Sequence, residues 1–454
     1  MKNIFKQFIV FIITLEARAV LRKYKPKIVA VTGSVGKTSA KDAIYAVLAK
    51  SARVRKSEKS FNSEVGLPLT VLGAPNAWSN PLRWLQNIVD GIFIILFTVE
   101  YPEWLVLEVG ADRPGDIRSL SKWLQVDIAV ITLLPETPVH VEFFNSPEAV
   151  IEEKAALIDC LGRLPAGRQG VLALFADDPR TLNLQHRLPA PDARIITFGF
   201  SKDAEVRGEH IKLLRQSGKN AWPIGMTAGI SYGGVSAPLE VVGAVGAHAF
   251  LPALAAAAVG CALNKPLADT IGALGGYNPP PGRMRLLRGI KDTLIIDDSY
   301  NSSPAAAAAA LETLSLVMGR SDSPKLGESD LPKSRRIAVL ADMMELGRRS
   351  TAEHRKIGEQ AAKQADLLVT VGFRARDIAA AALDQGLQDG STLQFEDSGK
   401  AANELQNLLR EGDCILVKGS QSMRMERVVE GIMAEPERAA ELLVRQDAEW
   451  KKRQ

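Results

Sequence analysis

From Lys27 onward, apolar runs of four or five residues recur between longer stretches with helical spacing. This alternation predicts an α/β protein with a largely parallel sheet. Residues 28–31, 104–107, 128–131, 171–174 and 194–198 read as strands of a first unit. Residues 205–242 are rich in Gly, Ser and β-branched residues, which predicts antiparallel strands inserted before a helix at 248–263. Tyr277-Asn278-Pro279-Pro280-Pro281-Gly282 fits neither a helix nor a central strand and marks a domain boundary. The α/β rhythm then restarts, with strands at 293–296, 337–340, 367–371 and 414–417. Polar stretches at 164–170 and 319–335 read as loops.

Two eight-residue runs, 8–15 (FIVFIITL) and 92–99 (IFIILFTV), are strongly apolar. Each is far short of the roughly 20 residues that a spanning helix needs. Three readings of the first run stand. It is a leader, since Lys2 and Lys6 precede it and Ala17-Arg18-Ala19 follows; a nucleotide motif so soon afterwards argues against that. It is a packed N-terminal helix over 1–26. Or both runs rest on the inner membrane surface, with Lys2, Lys6, Arg18, Arg22 and Lys23 facing lipid phosphates.

Composition changes this picture little. With 46% apolar and 24% charged residues, the 454-residue chain is neither disordered nor collagen-like, and its length predicts more than one domain. A net charge of +4 gives no argument for nucleic acid as a partner. Cys160, Cys261 and Cys414 lie far apart, which excludes a disulfide framework or zinc cluster and fits a reducing, cytoplasmic setting.

The chemistry starts at Thr32-Gly33-Ser34-Val35-Gly36-Lys37-Thr38, between an apolar strand and a helix running to about Lys50. Glycines let backbone N–H groups curl around phosphate, Lys37 neutralises charge, and the Thr38 hydroxyl can reach Mg²⁺. Val31 stands where the general pattern has its first glycine. Glu108 ends the next strand, where a carboxylate beside a phosphate loop can hold Mg²⁺. The fold expected is therefore α/β: a central P-loop parallel-sheet ATPase domain at 27–278, then a smaller Rossmann-like α/β C-terminal domain at 279–454.

TGSVGKTS, Phe61-Asn62-Ser63-Glu64-Val65-Gly66-Leu67-Pro68 and the 107–117 stretch LEVGADRPGDI together resemble the Mur ligases, ATP-dependent amide ligases of the peptidoglycan stem peptide. Within that family, Asp297-Asp298-Ser299-Tyr300-Asn301, Ala341-Asp342-Met343-Met344-Glu345-Leu346-Gly347 and Val417-Lys418-Gly419-Ser420 are most similar to the type that adds D-alanyl-D-alanine to UDP-N-acetylmuramoyl-tripeptide. The resemblance covers about residues 27–432.

It implies ATP and Mg²⁺ as cofactors, UDP-muramoyl-peptide and D-alanyl-D-alanine as substrates, and an acyl-phosphate intermediate. It assigns nucleotide contacts to Gly33, Ser34, Val35, Gly36, Lys37, Thr38, His248, Arg283, Asp298, Tyr300 and Asn301. It assigns the metal to Thr38, Glu108, His140 and Lys154, and catalysis to Lys37, Glu108, His140 and Lys154, the last carbamylated by CO₂. Asp342 and Lys418 also lie at predicted strand ends, where open α/β sheets place ligand contacts.

The chain departs from the family pattern in three places. Gly246-Ala247-His248-Ala249-Phe250-Leu251-Pro252 lacks both usual asparagines, and Phe175-Ala176-Asp177-Asp178 lacks a third. Apolar packing by Phe175 is expected to replace amide hydrogen bonds to the base. Only 26 residues precede the first strand, where the family usually has a UDP-binding domain. A lipid-linked or membrane-proximal acceptor, or UDP recognition from elsewhere, is therefore expected. A Mur-like ligase with another acceptor, such as a folate polyglutamate, and a non-catalytic P-loop protein remain as alternatives.

Overall fold

A computed structural model describes residues 2–58, 64–77, 80–163, 169–188, 193–217, 222–319 and 334–451. Its first sheet comprises β1 (Lys27–Thr32), β2 (Val54–Lys56), β3 (Trp104–Glu108), β4 (Ile128–Ile131), β5 (Val171–Phe175), β6 (Arg194–Gly199), β7 (Val206–Arg215), β8 (Pro223–Tyr232) and β9 (Val235–Val242). The spatial order is β2-β3-β1-β4-β5-β6-β7-β8-β9. Strands β1 to β6 pair in parallel, while β7, β8 and β9 form the antiparallel meander expected of 205–242.

The second sheet comprises β10 (Arg285–Gly289), β11 (Thr293–Asp298), β12 (Arg336–Ala341), β13 (Leu367–Val371), β14 (Thr392–Phe395) and β15 (Cys414–Lys418). Its order is β10-β11-β15-β12-β13-β14, with only β10 antiparallel to its neighbour. Every apolar run read as a strand is one, some longer by a residue or two. The runs were visible because parallel strands covered on both faces are apolar throughout. β2, β10 and β14 were not foreseen: each is short, and polar or half-exposed residues interrupt it.

Helices cover both faces of the first sheet. They are α1 (Lys2–Tyr24), α2 (Lys37–Ala49), α3 (Gly66–Leu72), α4 (Pro81–Leu96), α5 (Asp116–Leu120), α6 (Pro147–Ala155), α7 (Pro179–Leu182), α8 (Ala247–Ala262) and α9 (Leu267–Leu274). On one face, α2 and α8 bury an alanine-rich core against β1, β4, β5 and β6. On the other, Ile9, Ile13, Ala17 and Val20 of α1 repeat at helical spacing and are buried with α3 and residues 155–161. One stripe of α1 is thus packed on the rest of this lobe. Both eight-residue apolar runs fall largely inside longer helices, α1 and α4. Among the described residues, no helix is long and apolar enough to cross a membrane.

The second sheet is flanked by α10 (Pro304–Val317), α11 (Ser350–Gln364) and α12 (Arg376–Asp384), among others. Pro304 at the start of α10 and the Ser303 cap, which accepts from the Ala306 N–H at 3.4 Å, set where that helix begins. The expected loops at 164–170 and 319–335 lie mostly outside the described residues, as do Phe61, Asn62 and Ser63.

Candidate active site

The C-terminal ends of β1, β3 and β4 meet at the phosphate loop. Gly33 and Gly36 adopt φ of 141° and 86°, and a Cβ at Gly33 would collide with the Thr132 hydroxyl. That hydroxyl donates to the Val35 carbonyl at 2.7 Å, and the Ser34 N–H donates to the Leu133 carbonyl at 2.9 Å. The β4 end therefore fixes the loop from behind and leaves the N-terminus of α2 open to the cleft. Lys37 donates from Nζ to the Gly33 carbonyl at 2.9 Å. Burial lowers its pKa, Glu108 opposes that shift, and Arg283 adds to it.

Glu108 is the most informative single residue. It is 2% exposed, and its Oε1 accepts from the Thr38 hydroxyl at 3.0 Å. Among the described residues its Oε2 has no hydrogen-bond partner, although the Lys41 ammonium lies 3.8 Å away. A buried carboxylate oxygen without a donor is costly unless a cation completes it. The hydroxyl and carboxylate oxygens supplied here are the donors a hard divalent cation takes, so the pair fits Mg²⁺.

A cleft of roughly 660 Å³ opens in front of these groups and is shared by the two lobes. From the first lobe come Ser34, Lys37, Thr38, Glu108, Asp112 and His140; from the second, Arg283, Tyr300, Asn301 and Glu345. His140 Nε2 is 3.5 Å from Asp112, and its Nδ1 is 2.6 Å from Glu345. The contact with His140 holds the Glu345 carboxyl below its ordinary pKa. Arg283 stacks over the Tyr300 ring at 4.0 Å. Tyr300 is anchored in turn: its carbonyl accepts from Arg445 at 2.9 Å, and its N–H donates to the Gly282 carbonyl at 3.2 Å.

Asp298 and Lys418 form a buried ion pair at the ends of adjacent strands β11 and β15, and Lys418 also donates to the Asn301 carbonyl at 3.1 Å. These two line a second recess beside the phosphate loop with Ser302, Ser303 and Tyr277. Burial pushes the neighbouring Asp297 carboxyl up to about 6. Asp342 is turned elsewhere: its Oδ1 accepts from the Ala375 N–H at 2.8 Å, where α12 approaches.

Lys154 does not line the cleft. It is 1% exposed near the end of α6, and burial together with Lys37 pushes its amine down to about 7. The adjacent Glu153 accepts from the N–H groups of Ile117 and Arg118, at 2.7 and 3.0 Å, and so ties α6 to the start of α5. Asp116 accepts from the N–H groups of Asp112 and Arg113 at 3.0 and 2.8 Å, which organises the loop after β3. The His248 side chain lies outside the described ones, although its backbone belongs to α8. Phe175, Phe198, Leu133, Leu251 and Pro252 line a small apolar void that abuts Val35 and Gly36.

The metal set of Thr38, Glu108, His140 and Lys154 is thus divided. Thr38 and Glu108 touch, His140 lines the same cleft, and Lys154 is not part of its lining. Among the described residues, no three His, Cys, Asp or Glu side chains cluster as a ready metal site. Sequence reasoning did not single out Lys41, Asp112, Thr132 or Glu345. Asp112 and Glu345 were inside quoted motifs, and only the fold shows that both reach His140.

A phosphate loop at the sheet's C-terminal edge, faced by cations from a second α/β lobe, defines a nucleotide-dependent two-lobed enzyme. The comparison with known sequences gives the family. The Mur ligase middle domain matches residues 31–260 and the Mur ligase glutamate ligase domain matches 282–421, so the chain belongs to the Mur ligase family of ATP-dependent, ADP-forming ligases. It is 27% identical over 421 residues to the UDP-N-acetylmuramoyl-tripeptide--D-alanyl-D-alanine ligase of Bacillus subtilis, covering 92% of this chain and 79% of that one. The Escherichia coli ligase of the same name is also 27% identical, with the same shares covered. In fold, the chain is similar to MurF ligase of Thermotoga maritima in complex with ADP (TM-score 0.71, 24% identity, covering 95% and 84% of the two chains). It is also similar to MurF from Acinetobacter baumannii (TM-score 0.70, 24% identity, 92% and 79%).

Proposed function

We propose that this protein is an ATP-dependent amide ligase that adds D-alanyl-D-alanine to UDP-N-acetylmuramoyl-tripeptide. ATP phosphorylates the acceptor's terminal carboxylate, the incoming amine attacks the acyl phosphate, and phosphate leaves as the amide forms. The observation that carries this reading is the convergence of the phosphate loop, the orphaned Glu108 oxygen and Arg283 on one cleft. The names of the full-length relatives supply the acceptor and the dipeptide.

Each residue has a physical task in that reaction. Lys37 and the N-terminus of α2 neutralise the transferring phosphoryl group, and Arg283 faces it from the second lobe. Thr38 and Glu108 would hold Mg²⁺, which supplies charge neutralisation between phosphate and carboxylate oxygens. His140 lines the same cleft. The void beside Phe175 measures only about 10 Å³, room for a single water, so packing of the base by Phe175 would need that wall to open on binding. Lys154 would carry a carbamate, because its buried amine is neutral for a good part of the time near pH 7 and so can capture CO₂. Dependence on ATP fits a reaction in the cytoplasm.

Mass spectrometry of the products from purified protein, ATP, Mg²⁺, UDP-muramoyl-tripeptide and D-alanyl-D-alanine tests this. The expected product is the UDP-muramoyl-pentapeptide with stoichiometric ADP and phosphate. ADP formation only with another carboxylate acceptor would replace the substrate and keep the chemistry. Nucleotide binding without turnover on any acceptor would sink both.

A further inference from the structure

Ten of the fifteen exposed large apolar side chains among the described residues belong to α1, α4 or Phe97 just after α4. On α4 they are Leu82, Leu85, Val89, Ile92, Phe93 and Leu96, a spacing that keeps them on one helical face. On α1 they are Phe8, Phe11 and Leu15, again one stripe. These are not faces the core needs. The core takes Ile9, Ile13, Ala17 and Val20 of α1, and Ile88, Ile94 and Ile95 of α4 pack against it from the other side of that helix.

The two helices run side by side in parallel. Lys23, near the end of α1, donates to the carbonyls of Ile94, Ile95 and Phe97 at 3.1, 3.0 and 2.6 Å. One turn or two earlier, the Glu16 carboxylate fits over Gly91, where any side chain would collide with it. This register sets Phe11 and Leu15 at the level of Leu85 and Val89, so the stripes lie beside each other. Isolated exposed apolar residues are ordinary, but a concentration of nine on one helix pair, with Phe97 beside them, marks a surface that something covers.

Charge says what covers it. Lys2, Lys6, Arg18, Arg22, Lys23 and Arg83 stand against Glu16 and Asp90 on these helices, a ratio of six to two in a chain whose whole count is 56 to 52. Glu16 is buried, which leaves Asp90 as the exposed carboxylate of the pair. A second copy laid on this face would set cations against cations. We propose that the α1–α4 face is a docking surface for an anionic lipid bilayer, on which the protein lies without crossing. The apolar stripes enter the headgroup boundary, while the arginines near the end of α1 meet lipid phosphates. This assignment is independent of which reaction the cleft performs.

The test is flotation of the full-length protein with vesicles of phosphatidylcholine alone or mixed with phosphatidylglycerol. Binding to the mixed vesicles, weakened by salt, is expected. Arg18→Glu with Arg22→Glu should weaken it at least tenfold, on the scale of about 1 kcal/mol per cation near an anionic surface. Val89→Asp with Phe93→Asp should abolish flotation and leave ATP binding intact. If that variant loses its far-UV circular dichroism, the arginine pair alone decides. No flotation of the folded protein with mixed vesicles overturns the proposal, as does equal, salt-insensitive binding to neutral vesicles. A dimer that the Val89–Phe93 variant dissolves, without vesicle binding, would assign the face to a second copy instead.

Discussion

The Nδ1 of His140 lies 2.6 Å from the Oε2 of Glu345, joining the first lobe to the second across the cleft. Both residues adopt positive φ, 69° and 64°, a conformation that side chains other than glycine rarely take. The approach is locked on either side. The Glu142 N–H donates to the Glu345 carbonyl at 3.3 Å, and the Thr137 hydroxyl donates to Glu353 at 3.1 Å. A residue that orients another residue at the cleft by such means acts on geometry more than on stability.

Glu345→Ala should therefore leave the unfolding free energy within about 1 kcal/mol of the parent, since the pair is partly exposed. Misplacing His140 and loosening lobe closure should lower kcat by up to roughly 10²-fold. Glu345→Gln, which keeps an acceptor, should recover part of that loss. Steady-state kinetics with the parent's kcat in both variants would show that the contact is incidental.

Lys37→Ala removes the cation at the mouth of the loop. One preorganised donor lost from a transition state costs roughly 10²–10³ in rate. The loop itself should persist, because the Thr132 hydroxyl and Leu133 carbonyl hold it without Lys37. Rapid-quench turnover near the parent rate would mean that phosphate is neutralised elsewhere.

Glu108→Gln keeps shape and removes charge beside Thr38. If Oε2 is completed by Mg²⁺, the half-saturating Mg²⁺ concentration should rise by about 10–100-fold, and high Mg²⁺ should restore much of the rate. A loss identical at every Mg²⁺ concentration would instead point to Lys41, 3.8 Å from the same oxygen, as its true partner.

How much of this was legible in the chain depends on the range of the interaction. Strands buried on both faces announce themselves as apolar runs, so β1, β4, β5 and β12 could be read directly. Arg285–Gly289, an edge strand carrying an arginine at either end of its apolar pair, could not. The loop, Glu108 and Arg283 sit in local patterns with a chemical reason. Glu345 is different: its role depends on meeting a histidine from the other lobe, and no local spacing encodes that meeting. Asp342, a strand-end aspartate with the look of a ligand contact, accepts from the Ala375 N–H, a partner that no local spacing announces.

Glu16 gives a prediction about stability. The residue is 7% exposed, its carboxylate oxygens are buried with no hydrogen-bond partner among the described residues, and burial pushes the carboxyl from 4.5 up to about 7. Between those two values the folded chain holds a proton that the unfolded chain releases. Stability therefore falls as pH rises from about 4.5 to 7, and the whole penalty is present above that. Glu16→Gln removes the titration and should raise stability by about 1–2 kcal/mol at pH 8, with little gain at pH 4.5. Urea unfolding at the two pH values reads the difference, and equal gains at both would show that the carboxylate is solvated.

Lys154 gives the sharpest test of the proposed chemistry. Its amine is pushed from 10.5 down to about 7, chiefly by burial and next by Lys37, so the folded chain binds this proton more weakly than the unfolded one. Stability contributed by the unmodified lysine therefore rises as pH climbs from about 7 toward 10.5. The same weak basicity supplies the neutral amine that CO₂ requires, and a carbamate there would return an anion with two oxygens to a neighbourhood that already holds Lys37. Lys154→Ala should bind ATP as the parent does and lose ligation, with short carboxylates restoring part of the rate. Protein incubated with ¹³C-bicarbonate should show a carbamate carbon resonance that is missing from Lys154→Ala. A parent spectrum without that resonance, together with full activity in CO₂-free buffer, would leave Lys154 a buried amine that supports Lys37 and nothing more.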